Sequence, residues 1–185
     1  AWVNLSEKFG NLDLEEVLKP AVNYARNGFT VSVNVKQAWD EAYNIYKNEQ
    51  GEEFKYWFDI FTKNGKTPKF GELWKLPYHA DTLESIGKSY GESYYKGDIA
   101  DKIDSFFRKY DGYLTKEDLE NYKPQWVDPI SVNYRGYNVC ELPPNGQGIV
   151  ALIALSILKE FDFVHKNSDT YHKQIEAILQ GEMLA

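Results

Sequence analysis

The stretch Ile130-Ser131-Val132-Asn133-Tyr134, followed by Arg135-Gly136 and then by Tyr137-Asn138-Val139-Cys140-Glu141-Leu142, sets the fold class. Apolar and polar residues alternate on both sides of Arg135-Gly136, which is the period of a half-buried strand. A two-residue connection that contains glycine is typical of a tight β-hairpin. The sequence therefore predicts one antiparallel hairpin in a chain that elsewhere shows helical spacing.

The residues before the hairpin predict helices separated by turns. Pro20 interrupts the first long apolar pattern, which predicts either two short helices or one kinked helix. Gly28 is expected to end the helical segment. Side-chain caps are expected at Asp13, Ser32, Asp98 and Thr115, and those at Asp13 and Thr115 are expected to be capping boxes. The remaining helices are predicted near residues 34–47, 52–62, 80–90, 98–110 and 115–122, with a loop over 66–77.

Two helices are predicted after the hairpin, at residues 149–159 and 168–179. The first is apolar nearly all round, so we expect it to be buried on all sides. The predicted fold class is α+β, mostly helical with a β-hairpin. One domain is expected over 1–185, helical over 1–123, with the hairpin plus buried helices over 129–180.

Composition excludes several classes of protein. The 185 residues carry a formal net charge of −7, which argues against nucleic-acid binding because phosphates draw on a basic surface. Aromatic residues make up 16%, so a packed core or a large interface is expected. The longest apolar run, Ile149 to Leu158, is too short to span a bilayer. The start at Ala1, without an initiator methionine or a basic and apolar leader, is not expected to be a natural N-terminus with a signal peptide.

The loop Asn145-Gly146-Gln147-Gly148, between a strand and a helix, is the strongest local candidate for a binding site. A helix N-terminus offers free N–H groups to an anion. The P-loop pattern fails because Ile149 and Val150 stand where Lys and Ser or Thr are required, and no dinucleotide-binding period surrounds the loop. A tight connection is therefore favoured over an anion or substrate contact, which stays open.

Other candidate side chains favour packing or surface roles. His79, His165 and His172 lie far apart in sequence, although Asp81 is close to the first and Glu176 to the last, and no metal site or cofactor is predicted. Cys140 lies in a strand and is expected to pack there rather than act as a nucleophile. A set of aromatic residues could line a sugar or peptide groove, but core or subunit packing is favoured: Trp57, Phe58, Phe61, Tyr90, Tyr94 and Tyr95.

Several motifs in order resemble the γ-glutamyltranspeptidase family over nearly the whole chain. Each is weak alone, and the ordered set is specific. They are Lys8-Phe9-Gly10, Pro20-Ala21, Ala25-Arg26-Asn27-Gly28-Phe29, Gly71-Glu72-Leu73-Trp74 with Pro77, Tyr94-Tyr95-Lys96-Gly97 with Ile99-Ala100, Gly112-Tyr113-Leu114-Thr115-Lys116-Glu117-Asp118-Leu119, Tyr134-Arg135-Gly136-Tyr137, and Pro143-Pro144-Asn145-Gly146-Gln147-Gly148.

This resemblance implies a precursor that cleaves itself before an internal threonine, which then serves as nucleophile and, through its own amine, as base. Such enzymes hydrolyse or transfer γ-glutamyl groups from glutathione-like donors, relatives deacylate other amides, and the complete fold is the αββα sandwich of N-terminal-nucleophile hydrolases. The implied partners are the remainder of the precursor, including the small catalytic subunit, and a γ-glutamyl peptide substrate. The compartment stays open between cytoplasmic and secreted or periplasmic in bacteria.

The sequence departs from the family pattern in three ways. No threonine lies in a processing motif, the arginine that binds the donor α-carboxylate belongs before Ala1, and residues 180–185 leave the pattern. We therefore expect a large-subunit fragment with no catalytic residue of its own, an unknown substrate-binding set, and no activity alone. An incomplete domain would also expose apolar surface and self-associate. The alternatives are a related amide acylase and a non-catalytic helical module that binds peptides or sugars.

Overall fold

The computed structural model describes residues 1–143 and 146–184. The chain divides into two compact units, Ala1–Pro124 and Gln125–Ala185. The first unit is mostly helical, and the second contains the hairpin and two helices. The single domain expected over 1–185 stays a prediction.

The first unit consists of short helices and one two-stranded sheet. Its helices are α1 Trp2–Phe9, α2 Leu14–Asn27, α3 Val33–Tyr46, α4 Lys55–Phe61 after a 3₁₀ turn at Glu52–Phe54, α5 Pro77–Lys88, α6 Glu92–Tyr95, α7 Asp98–Lys109 and α8 Lys116–Asn121. Its strands are β1 Phe29–Thr30 and β2 Leu73–Trp74, which pair antiparallel with Phe29 opposite Trp74. β2 lies in the segment for which a loop was expected, because two residues are too few to show a strand period.

Helix α2 is continuous through Pro20, so the expectation of two short helices is wrong. Pro20 is exposed, and the carbonyl four residues before it can bond water instead of the missing N–H. The opposite face buries Val22 and Ala25 against Ala80 of α5. This packing holds the helix together across the proline.

The predicted caps are confirmed in part. Ser32 accepts a hydrogen bond from the Val35 N–H, and Thr115 with Asp118 forms a complete capping box. Asp13 occupies the N-cap of α2 but makes no side-chain cap hydrogen bond, so its predicted capping box is wrong. The predicted cap at Asp98 is also wrong, because Asp98 is the first helical residue of α7 and Gly97 is the N-cap.

The second unit begins with the predicted hairpin. Strands β3 Ile130–Tyr134 and β4 Tyr137–Glu141 pair antiparallel, with Val132 opposite Val139. Arg135 and Gly136 both have positive φ, 52° and 89°, which is the twist that a two-residue hairpin turn requires. The hairpin prediction is confirmed in its two strands and its turn.

Helix α9 Gly148–Leu158 packs on the hairpin, and α10 Ser168–Leu184 packs on α9. Their shared core contains Ala154, Leu158 and Ala177, with Tyr134 among the side chains packed on it. The expectation that α9 is buried on all sides is wrong for the described residues, because only Leu152, Ala154 and Leu158 are buried on this helix. One hairpin and one helix cannot cover a helix that is apolar all round.

In residues 1–143 and 146–184, no helix combines the length and apolar character that a membrane crossing needs.

Candidate functional site

An aromatic cleft in the first unit carries two of the aromatic residues singled out from the sequence. It holds about 320 Å³ and is lined by Tyr94 and Tyr95 of α6, Tyr122 after α8, Ile86 of α5, Gly91, and Ala1, Trp2 and Val3 at the start of the chain. We call this set the tyrosine cleft. The cleft is formed where α1 lies against α5 and α6, which follow it by about 70 residues or more in sequence.

The turn before α6 fixes the position of its two tyrosines. Gly91 has a φ of 82°, and a Cβ at this position would lie 3.3 Å from Cγ2 of Val3. The Ser89 hydroxyl donates to Oγ of Ser93 and accepts from the Ser93 N–H. These contacts start α6 immediately after the turn, so that adjacent residues of a four-residue helix both reach the cleft.

The three phenol rings form one packed group. The ring centroids of Tyr94 and Tyr95 are 5.1 Å apart, and the ring of Tyr122 stacks on Tyr95 at 6.0 Å with an interplanar angle of 9°. Burial raises the pKa of the Tyr95 phenol, and Tyr122 and Tyr94 add to this effect. The Tyr95 hydroxyl is therefore neutral at physiological pH and can donate or accept a hydrogen bond.

The chemistry of the tyrosine cleft suits binding rather than bond breaking. Its lining side chains are apolar or phenolic, and none of them is a carboxylate, an imidazole or an ammonium group. Flat aromatic faces with a neutral hydroxyl can hold an apolar group, an aromatic ring or a sugar face. The lining offers no carboxylate or imidazole side chain to act as a general base near neutral pH.

The structure separates the aromatic residues that the sequence grouped together. Trp57, Phe58 and Phe61 pack with α3, where the Trp57 ring lies 5.2 Å from Tyr46 and the Phe58 ring 5.7 Å from Tyr43. The prediction of packing is confirmed for these three residues. Tyr90 instead donates a hydrogen bond to Asp13. Of the six aromatic residues that the sequence grouped, Tyr94 and Tyr95 are the two that line the tyrosine cleft. Trp2 and Tyr122 were missed, because no local spacing links them to α6.

The predicted loop site at the start of α9 is partly outside the described residues, which exclude Pro144 and Asn145. Gln147 is the N-cap of α9 and makes no side-chain cap hydrogen bond. A Cβ on Gly148 would lie 2.6 Å from Oε2 of Glu141, so the glycine permits a close approach of this carboxylate. The chain thus places its own negative charge beside this helix start, where the helix dipole favours it.

The histidines and Cys140 form no reactive group with their sequence neighbours. Asp81 pairs with Arg26 rather than with His79, whose ring lies 6.1 Å from that of Phe61. Cys140 is exposed, so the expectation that it packs is wrong. It lies opposite Ser131 in the register, on the hairpin face away from Val132 and Val139. In the described part of the chain, no group of three His, Cys, Asp or Glu side chains could hold a metal ion.

The threonine hydroxyls are engaged in hydrogen bonds within the chain at five of the six positions that the sequence contains. Those of Thr62, Thr82 and Thr170 donate to backbone carbonyls, and those of Thr67 and Thr115 donate to carboxylates. A nucleophilic hydroxyl needs a base and an open approach. These five hydroxyls instead serve helix ends, caps and loop contacts.

Comparison with known proteins places the chain in a sequence family. Residues 1–180 match the family model described as gamma-glutamyltranspeptidase. The chain is 36% identical over 182 residues to the glutathione hydrolase-like YwrD proenzyme of Bacillus subtilis, covering 96% of this chain and 34% of the relative. It is 35% identical over 157 residues to the glutathione hydrolase proenzyme of Escherichia coli K12, covering 84% of this chain and 26% of the relative.

Solved structures show the same likeness. A cephalosporin acylase from Bacillus halodurans is 50% identical with a TM-score of 0.94, over 98% of this chain and 34% of that one. A γ-glutamyltranspeptidase from Helicobacter pylori is 27% identical with a TM-score of 0.86, over 97% of this chain and 52% of that one. The α+β fold class is confirmed, and the chain spans about a third or less of the length of these two curated relatives.

Proposed function

This chain belongs to the γ-glutamyltranspeptidase family, and from that premise we propose that it is part of an amidohydrolase that hydrolyses or transfers γ-glutamyl groups from glutathione-like donors. The observation that carries the proposal is the family match over residues 1–180, in sequence order. The TM-score of 0.86 to the Helicobacter pylori γ-glutamyltranspeptidase supports it independently of local motifs.

The nucleophile of the proposed reaction lies outside these 185 residues. Acyl transfer needs a nucleophile, a base and donors for the oxyanion in one place. Hydrogen bonds already engage the hydroxyls of Thr62, Thr67, Thr82, Thr115 and Thr170, and the exposed Cys140 thiol contacts the Asn138 carbonyl rather than a base. In this proposal the chain supplies large-subunit walls of the αββα sandwich, and a terminal threonine of the small subunit performs the chemistry.

The proposed partner is the remainder of the precursor, including the small catalytic subunit. Two curated relatives are named as proenzymes, and this chain covers 34% and 26% of their lengths. The second unit also exposes large apolar side chains that a larger protein would cover, including Val164 at 79% and Met183 at 78% exposure. Without such a cover, we expect the isolated chain to self-associate.

A related amide acylase is the second candidate. The 50% identity to the Bacillus halodurans cephalosporin acylase, with a TM-score of 0.94, favours it. The two candidates differ in the acyl group that they accept. A glutaryl anilide has the chain of a γ-glutamyl anilide without its α-amino group, so the pair of substrates tests whether that amino group is required. A third candidate, a non-catalytic module for peptides or sugars, is supported by the tyrosine cleft alone.

Two proteins test these candidates: the 185-residue chain and the product of the complete natural reading frame. Each is assayed for p-nitroaniline release from γ-glutamyl and from glutaryl anilides, and for self-cleavage into two bands. We expect the complete product to cleave itself and to turn over the γ-glutamyl anilide, while the 185-residue chain does neither. Preference for the glutaryl anilide would favour the acylase candidate. Failure of the complete product to hydrolyse either anilide would reject the proposal that it is an amidohydrolase.

Size-exclusion chromatography with light scattering tests the isolated chain. An incomplete domain is expected to run as oligomers at rising concentration. A monomer whose tryptophan fluorescence changes on titration with γ-glutamyl peptides or oligosaccharides would favour the binding module instead, since Trp2 lines the tyrosine cleft.

A further inference from the structure

Three Asn-Gly pairs occur in the sequence, at Asn27-Gly28, Asn64-Gly65 and Asn145-Gly146. Asparagine followed by glycine is the pair most prone to loss of the side-chain amide, because glycine lets its backbone nitrogen reach the asparagine side chain. Asn145 lies outside the described residues. Both described asparagines are exposed, and the two pairs differ in the hydrogen bonding and packing of the glycine that follows.

Asn64-Gly65 forms the tip of an exposed two-residue turn. The Lys63 N–H donates to the Lys66 carbonyl at 2.8 Å, and the Lys66 N–H donates back at 3.2 Å. Asn64 and Gly65 have φ of 53° and 70°. Two consecutive residues with positive φ are typical of a tight two-residue hairpin turn. A Cβ at Gly65 would meet no atom within 4 Å, and the Gly65 N–H donates no hydrogen bond among the described residues.

Asn27-Gly28 lies at the end of α2, where Asn27 is exposed and Gly28 is half-buried against β2. The Gly28 N–H donates to the Tyr24 carbonyl at 2.9 Å, so the nitrogen that would attack is already bonded. A Cβ at Gly28 would lie 2.7 Å from Cγ of Leu73. The peptide cannot move toward the Asn27 side chain unless the helix end and the β1–β2 pair open first.

We propose that Asn64 is a site of spontaneous deamidation in the folded protein and that the fold protects Asn27. The Gly65 nitrogen loses its proton to solvent base and attacks Cγ of Asn64, a new C–N bond forms, and ammonia leaves. Water then opens the succinimide at either carbonyl. The net reaction consumes one water, releases one ammonia, and leaves aspartate or isoaspartate without any change of oxidation state.

The charges around the turn favour this reaction. Lys63 and Lys66 face each other across the bridge that closes it, and both are exposed. Positive groups nearby stabilise the anionic nitrogen that forms before attack. The product adds a carboxylate to a turn that two exposed lysines flank, and isoaspartate adds a methylene to its backbone, which is expected to disturb the pairing of Lys63 with Lys66.

Peptide mapping by mass spectrometry tests the proposal on the folded 185-residue chain, incubated in mildly alkaline buffer. We expect Asn64 to convert roughly tenfold faster than Asn27 or more, because a hydrogen bond must open at the second site. Enzymatic methylation should detect isoaspartate in the peptide that contains residue 64. In strong denaturant the two rates should become similar, which separates the effect of the fold from that of the sequence.

A Gly65→Asn variant provides the matched control. Asparagine tolerates positive φ, so the turn is retained, while its side chain hinders attack by the nitrogen of residue 65. Conversion of Asn64 should fall strongly, with an unchanged circular dichroism spectrum. Equal rates for Asn64 and Asn27 in the folded wild-type chain, or an unchanged rate in Gly65→Asn, would overturn the proposal.

Discussion

The guanidinium of Arg26 binds Asp81 across 55 residues of sequence, with Nη1 of Arg26 3.0 Å from Oδ1 of Asp81. The second terminal nitrogen of Arg26 lies 3.0 Å from Oε2 of Glu84 on the same helix. These ion pairs join α2 to α5 beside the buried contact of Ala25 with Ala80. They raise the pKa of Arg26, mainly through the hydrogen bonds to Asp81 and Glu84.

Arg26→Met is expected to lower the urea midpoint of unfolding by a small amount, because the groups are partly exposed and water screens them. The difference from wild type should shrink at high salt. Lys19→Met is the matched control, since Lys19 pairs with Glu16 inside α2 and joins no second helix. An equal loss in both variants would show that the link between α2 and α5 contributes nothing measurable.

Gly28→Ala should destabilise the first unit by roughly 2–5 kcal/mol. Gly28 has φ 106° and ψ 154°, a region open essentially to glycine alone, and the new Cβ would collide with Leu73. Gly65→Ala is the control, because its φ of 70° costs only about 1–2 kcal/mol and the space around it is empty. Urea unfolding followed by circular dichroism measures both, and a smaller loss at Gly28 than at Gly65 would contradict this account.

Thr115→Ala should cost about 1 kcal/mol of stability, the usual value of an N-cap. The Thr115 hydroxyl accepts from the Asp118 N–H, and the Asp118 carboxylate accepts from the Thr115 N–H at 2.8 Å. Thr115→Ser keeps the hydroxyl and should retain most of the stability. Equal denaturation midpoints for the Ala and Ser variants would show that the capping box does not stabilise α8.

Acid should destabilise the first unit through carboxyls with lowered pKa. Hydrogen bonds from the Thr115 hydroxyl and N–H lower the pKa of Asp118. The pKa of Asp104 is lowered mainly by a hydrogen bond from the Arg108 side chain and next by one from the Lys116 N–H. A carboxyl with a depressed folded pKa stabilises the fold above its unfolded value, about 3.9, and this contribution is lost as pH falls through the folded pKa. The urea midpoint should therefore drop below about pH 4. Asp118→Asn should flatten part of that drop, whereas a midpoint that rises on acidification would refute the assignment.

The sequence predicted the elements whose signals are local. The hairpin at 130–141 follows from alternation and from Arg135-Gly136, and the α8 cap follows from the spacing of Thr115 and Asp118. Such features depend on residues within one turn or one strand pair. The motif order also indicated the family, which the match over residues 1–180 establishes.

Only the tertiary structure decided which distant residues meet. It paired Asp81 with Arg26 instead of His79, carried α2 through Pro20 by packing on α5, and placed Trp2 and Tyr122 beside Tyr94 and Tyr95. It also distinguished Asn64-Gly65 from Asn27-Gly28, which are identical as dipeptides. The physical reason is the same in each case: local patterns record backbone preference and burial, whereas contacts between distant segments depend on which faces the packed helices bring together.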